Sequence, residues 1–141
     1  MLIGGKAFQV VDLERRTVRH DGFLMALLIR TGIDKLTPQD DEGAEAFAFR
    51  VLQTILERDA AVELAAAFLL PDGTDAVDWS PALAAEIRAH IERCNTEEDR
   101  STVYRISAEQ VLGFFRLRLL SLATSLNSWA AEVHPEKRAA A

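Results

Sequence analysis

The chain has one cysteine, Cys94, so no internal disulfide can staple its fold. It has no run of about 18 consecutive apolar residues, which excludes a membrane-spanning helix. The opening stretch "MLIGGKAFQVVDLERR" has neither a basic n-region nor a long apolar h-region, so no secretory leader is expected. Basic charge is also short: 16 Lys and Arg stand against 22 Asp and Glu, a net charge of −6 that disfavours nucleic acid and anionic membranes as partners. The common catalytic motifs are missing. HExxH, GxGxxG, GxSxG and CxxC do not occur, and "GGK" at 4–6 is followed by Ala7 where a P-loop needs Ser or Thr.

What is present suits a globular protein of the cytoplasm. Nearly half of the 141 residues are hydrophobic, too many for a disordered chain and enough to bury a core. The absence of a long linker predicts a single domain over residues 1–133, with "HPEKRAAA" at 134–141 as a frayed tail. The fold class expected is mainly α, with a small N-terminal β-hairpin and a long C-terminal helix.

In chain order, "AFQVVDL" at 7–13 is β-branched and aromatic enough for a strand, and "TVRH" at 17–20 can return antiparallel to it, giving a hairpin over about 6–20. Asp21 is placed to cap a helix that Gly32 ends. Thr37, Pro38 and the following acids form a helix-start pattern, and Phe47, Val51, Leu52, Ile55 and Leu56 recur at helical spacing beyond it. Asp59 can cap a helix over "AAVELAAAFLL" that Pro71 terminates. Ser80 before Pro81 reads as an N-cap and first helical residue. "NTEE" at 95–98 and "SAEQ" at 107–110 both have the form of a capping box.

The segment "LLPDGTDAVDWSPALAAE" at 69–86 gathers Asp72, Asp75 and Asp78 around a glycine. A calcium loop of EF-hand type needs acids at alternate positions and a glutamate at the twelfth, whereas these fall three apart. The segment therefore reads as a helix connection, with Trp79 either its core anchor or a docking residue. Glu86, His90 and Cys94 share one helical face, but a zinc site needs four ligands and no second cluster is present. His20 beside Asp21 and Asp12 has the elements of acid–base work, yet a strand-end histidine is the commoner outcome. No catalytic residue, metal ligand or cofactor site is assigned.

The last helix carries the strongest pattern. Leu112, Phe115, Leu119, Leu122, Leu126, Trp129 and Val133 are spaced 3, 4, 3, 4, 3, 4, a heptad seam expected to be core. Phe114, Leu117 and Leu120 lie outside that stripe. Either this helix is the central core element wrapped by residues 22–93, or these three residues meet another chain, a second copy or a client. Phe114, Leu117, Leu120 and Trp79 are thus the candidate partner-binding residues.

Three stretches resemble the small tail assembly chaperones of long-tailed bacteriophages: "GKAFQVVDLERRTVRHDGFLMALL", "ELAAAFLLPDGTDAVDWSPALAAEI" and "NTEEDRSTVYRISAEQVLGFFRL". Members of that group are acidic, mostly helical cytosolic proteins encoded beside tail genes and thought to hold the tape-measure protein while a tail is built. The resemblance implies a non-enzymatic binding protein of a phage or prophage, in the host cytoplasm, with an apolar protein partner. The alternative is a structural or regulatory homo-oligomer whose terminal helices pair.

Overall fold

A computed structural model describes residues 1–116 and 120–133, the side chains of 120–123 excepted. The fold is mainly α, with six helices and a small three-stranded antiparallel sheet among the described residues. Strands β1 (Leu2–Ile3) and β2 (Lys6–Val10) are followed by α1 (Val18–Thr31), α2 (Ala44–Glu57) and α3 (Ala61–Phe68). Strand β3 (Leu69–Pro71) comes next, then α4 (Pro81–Glu92), α5 (Glu97–Phe114) and α6 (Leu120–Val133). The chain divides into two compact units, Met1–Gln110 and a second beginning at Val111.

The N-terminal hairpin lies earlier than expected. Leu2 pairs with Ala7 and Ile3 with Lys6, so the connection is the two-residue Gly4–Gly5. Both glycines have positive φ, 57° and 79°, which a type I′ turn requires and which matches the twist of the strands. Residues 17–20 are not a returning strand. Thr17 is extended and its Oγ1 accepts from the His20 N–H at 3.1 Å, making it the N-cap of α1. Asp21 therefore sits in the first turn and is not the cap. Gly32 ends the helix as expected, in the left-handed region at φ 74°.

On its other edge β2 pairs with a strand from about 60 residues downstream. Phe8 aligns with Pro71, Gln9 with Leu70 and Val10 with Leu69. The sequence reading carried α3 through Leu70. The helix instead stops at Phe68: proline pushes Leu70 out of the helical region, and Leu69 is extended where it pairs with Val10. Pro71 is tolerated because β3 is an edge strand.

Other starts shift too. Gly43 precedes α2, so Thr37–Pro38 lie in a loop. Ala60 precedes α3, while Asp59 takes a positive φ of 52°. Ser80 caps α4 as expected, its Oγ accepting from the Leu83 N–H at 3.1 Å. At α5 the accepting side chain is Thr96, bonded to the Asp99 N–H, one residue after the expected Asn95. Ser107 starts no helix. It is fully buried inside α5, and its hydroxyl donates to the Tyr104 carbonyl.

The core of the first unit is built on α3. Its sequence, AVELAAAF, is almost entirely small or apolar, and Leu64–Phe68 are all at most 1% exposed. Alanines there let neighbouring backbones approach closely. Ala65, Ala66 and Leu69 pack with Ile3 and Phe8 from the sheet, Ile87 and Ile91 from α4, and Val103 and Ile106 from α5. A second cluster joins Val11, Leu70, Ala76, Trp79 and Ala84. The one acid of α3, Glu63, takes ion pairs from Arg30 of α1 and Arg88 of α4, tying the three helices together at the surface. The element that occupies the core of this unit is therefore α3, not the terminal helix.

Candidate partner-binding surface

Two of the four residues expected to bind a partner are buried, and the side chains of the other two lie outside the described residues. Phe114 is 2% exposed, and Trp79 is equally buried. Leu117 lies outside the described residues, and Leu120 opens α6 with its side chain likewise outside them. The reason Phe114 is buried is a rotation of the expected stripe. On α5 the buried positions are Val103, Ile106, Ser107, Val111 and Phe114, whereas Leu112 and Phe115 are only half-buried. Leu119 and Leu122 of the seam are outside the described side chains.

The C-terminal part of the seam is not core. Leu126, Trp129 and Val133 are 57%, 61% and 49% exposed. Positions 126, 129 and 133 lie within about 60° of one another around a helix and extend over about 10 Å of its axis. They form an apolar stripe on α6 open to solvent. Thr124, Ser125, Asn127 and Ser128 beside it are exposed and uncharged, and Glu132 is the one ionisable group in the α6 sequence. In a chain of net charge −6, this helix is a nearly charge-free surface.

The candidates for chemistry have become structural contacts. The His90 Nε2 lies 2.8 Å from the Ile3 carbonyl, so that nitrogen carries a proton and pins β1 to α4. The Cys94 Sγ donates to the His90 carbonyl at 3.4 Å. Burial, and secondarily the Asp99 carboxylate, push its thiol above the ordinary value. Asp99 also accepts from the Gly4 N–H at 3.1 Å. Glu86 lines an open groove of about 410 Å³ between the sheet and α4, with Lys6, Asp72 and His90 at its rim and Phe8, Leu83 and Ile87 on its floor. Among the described residues no group of three or more His, Cys, Asp and Glu could hold a metal ion.

One aspartate of the 72–78 connection has a structural role. Asp75 accepts from the Val77 N–H at 3.1 Å, capping a 3-10 turn over Ala76–Asp78, and Gly73 turns the chain at φ 84°. Trp79 is the anchor of this connection. Its indole stacks on the His20 imidazole, ring centroids 4.1 Å apart and planes 11° from parallel, and Phe23 meets it edge-on at 5.1 Å. His20 is thus neither a strand-end residue nor poised for acid–base work at a surface.

Several charged side chains pair within the chain. Arg15 approaches Asp12 at 3.8 Å, and Arg16 approaches Asp21 at 3.6 Å. Arg50 holds Glu42 with two nitrogens, at 2.8 and 2.9 Å. That guanidinium, with the Gln39 N–H, draws the Glu42 carboxyl down to about 2. No described helix is long and apolar enough to cross a membrane. No family model, no curated protein and no solved structure matches the chain.

Proposed function

We propose that this chain is a non-enzymatic, cytoplasmic protein-binding protein that shields an apolar partner, in the manner of a phage or prophage tail assembly chaperone holding a tape-measure protein. The observation that supports this reading most is the exposed Leu126–Trp129–Val133 stripe on α6. Burying apolar surface yields about 25 cal/mol per Å², so covering one large aromatic and two aliphatic side chains gives a partner a substantial reason to stay. Aromatic residues ringed by small polar ones are what protein interfaces concentrate. The acidic remainder of the surface keeps such a complex dispersed.

The residues that would engage the partner are Leu126, Trp129 and Val133 rather than Trp79 and Phe114, which are buried. The reading is tested by refolding fragments of a phage tape-measure protein with and without this chain while following light scattering. Suppression at stoichiometric ratio, lost in a Leu126→Ser/Trp129→Ser variant, is the expected result. Equal aggregation with and without the chain contradicts it.

A second reading draws on the spacing of the same stripe. The 3, 4 spacing of Leu126, Trp129 and Val133 on α6 is the pattern by which like helices pair, and a single acid on α6 leaves little like-charge repulsion between copies. In that reading the partner is a second copy. A mass of two chains by light scattering, reduced to one by the same variant, distinguishes it from client binding.

A further inference from the structure

His20 is completely buried in the first turn of α1. Its Nε2 lies 2.6 Å from the Ala67 carbonyl of α3, and a carbonyl can only accept, so the proton sits on Nε2. Nδ1 is then a bare acceptor, buried and without a hydrogen-bond partner. Against the face of this ring lies the Trp79 indole, whose own Nε1 is also buried without a partner. No side-chain hydrogen bond holds Trp79 in place. What holds it is stacking on a neutral imidazole, the edge of Phe23, and burial with Val11, Leu70, Ala76 and Ala84.

We propose that His20 and Trp79 form an acid-sensitive latch: the neutral imidazole keeps the 72–80 connection docked on α1, and its protonation releases Trp79 to solvent. A second proton on the ring would place a donor at Nδ1 where no acceptor stands, and a full charge where no water reaches. It would also add positive charge at the N-terminal end of α1, where the helix dipole is already positive. The charged groups facing His20 are Arg16, from the turn before α1, and Asp21, its neighbour on the helix; they oppose each other. Helix α3 contributes the Ala67 carbonyl, and the 3-10 segment contributes the indole. The indole face attracts a cation, but it offers the new Nδ1–H no hydrogen-bond acceptor.

Burial is the largest influence and pushes His20 below its ordinary value of 6.5; the Ala67 contact and Asp21 raise it, and Arg16 lowers it further. The sign follows. A ring that stays neutral in the fold but takes a proton at 6.5 when released leaves docking intact above 6.5 and weakens it as the pH falls below that value. The released state exposes an aromatic side chain that is otherwise 2% exposed, so acidification would add an apolar surface to this unit.

The test uses the full chain carrying Trp129→Phe, which leaves Trp79 as the only indole. Its fluorescence and far-ultraviolet circular dichroism are followed from about pH 8 to about pH 4.5, the range in which imidazoles titrate. The expected result is a reversible red shift of emission with a midpoint below 6.5 at constant helicity, absent when His20→Phe is added and retained when His90→Gln is added instead. A flat emission, the same transition in the His20→Phe variant, or a shift that occurs only together with loss of helicity overturns the latch. Should His20→Phe fail to fold, NMR titration of the Trp129→Phe chain decides. Coincident titration of the His20 ring and the Trp79 indole N–H below 6.5 supports the latch, and a Trp79 resonance indifferent to His20 overturns it.

Discussion

The backbone of Gly4 lies directly against the side chains of Cys94 and His90: a Cβ at Gly4 would stand 2.5 Å from the Cys94 Sγ and 2.9 Å from the His90 Nε2. Its neighbour Gly5 has open space around it, yet both need positive φ. The two glycines of one turn thus separate two effects. Gly5→Ala should cost about 1 kcal/mol, the backbone term alone. Gly4→Ala adds a clash with α4 and the linked Ile3–His90 contact, and should cost about 2–4 kcal/mol. Denaturant titration of the two variants checks the difference; equal losses would mean that the turn does not rest on α4.

Removing the Trp79 side chain should be severe. It is 2% exposed, stacked on His20 and packed in its own core cluster, so Trp79→Ala should destabilise by about 3–5 kcal/mol. Asp75→Ala should cost about 1 kcal/mol, because the carboxylate caps the 3-10 turn and is not merely solvated. Thermal melts order the two.

Ser80→Ala should lower stability by about 1 kcal/mol, since its hydroxyl caps α4 at the Leu83 N–H. Asn95→Ala should be near neutral and Thr96→Ala should carry the capping loss at α5, reversing what the sequence pattern "NTEE" suggests. Chemical denaturation of the two variants at the start of α5 measures which residue is the cap.

The Glu42–Arg50 pair sets a separate pH window. Glu42 titrates at about 2 in the fold against 4.5 when free, so its contribution is present above 4.5 and lost as the pH falls from there towards 2. Arg50→Met should flatten stability across that interval and leave the behaviour above 4.5 unchanged in slope. Denaturation midpoints measured at intervals of pH in both proteins supply the comparison.

Several of these features were legible in the sequence because their causes are local. Gly32 ends α1 through its own φ, Ser80 and Pro81 start α4 through a bond three residues away, and the 3.6-residue period of α2 needs no partner to be read. The hairpin carries an equally local signal, two glycines between short apolar runs, although "GGK" also resembles the start of a phosphate loop and "AFQVVDL" draws the strand further on. What could not be read was long-range. β3 exists because Leu69–Pro71 meet residues 8–10, and His20 is core because α3 and Trp79 close over it. The heptad spacing of 112–133 was read as one helix, whereas Phe114 closes α5 as a buried residue and Trp129 lies exposed on α6. Of the expected partner-binding residues, Phe114 and Trp79 are buried, while Leu126, Trp129 and Val133 are the exposed apolar residues of α6.

The exposure of α6 changes what its residues should do. Leu126→Ala, expected to be a core truncation from the seam alone, should shift stability by no more than about 0.5 kcal/mol because the side chain is 57% exposed. Leu64→Ala, in the fully buried heart of α3, should cost about 2–5 kcal/mol. Parallel melts of the two place the core on α3 or return it to the last helix.

Whether α6 presents a binding surface is decided by the Leu126→Ser/Trp129→Ser variant. Its melting temperature should match that of the unaltered chain while its capture of tape-measure fragments, followed by light scattering and co-purification, is lost. A variant that melts normally and captures those fragments as well as the unaltered chain would contradict the account.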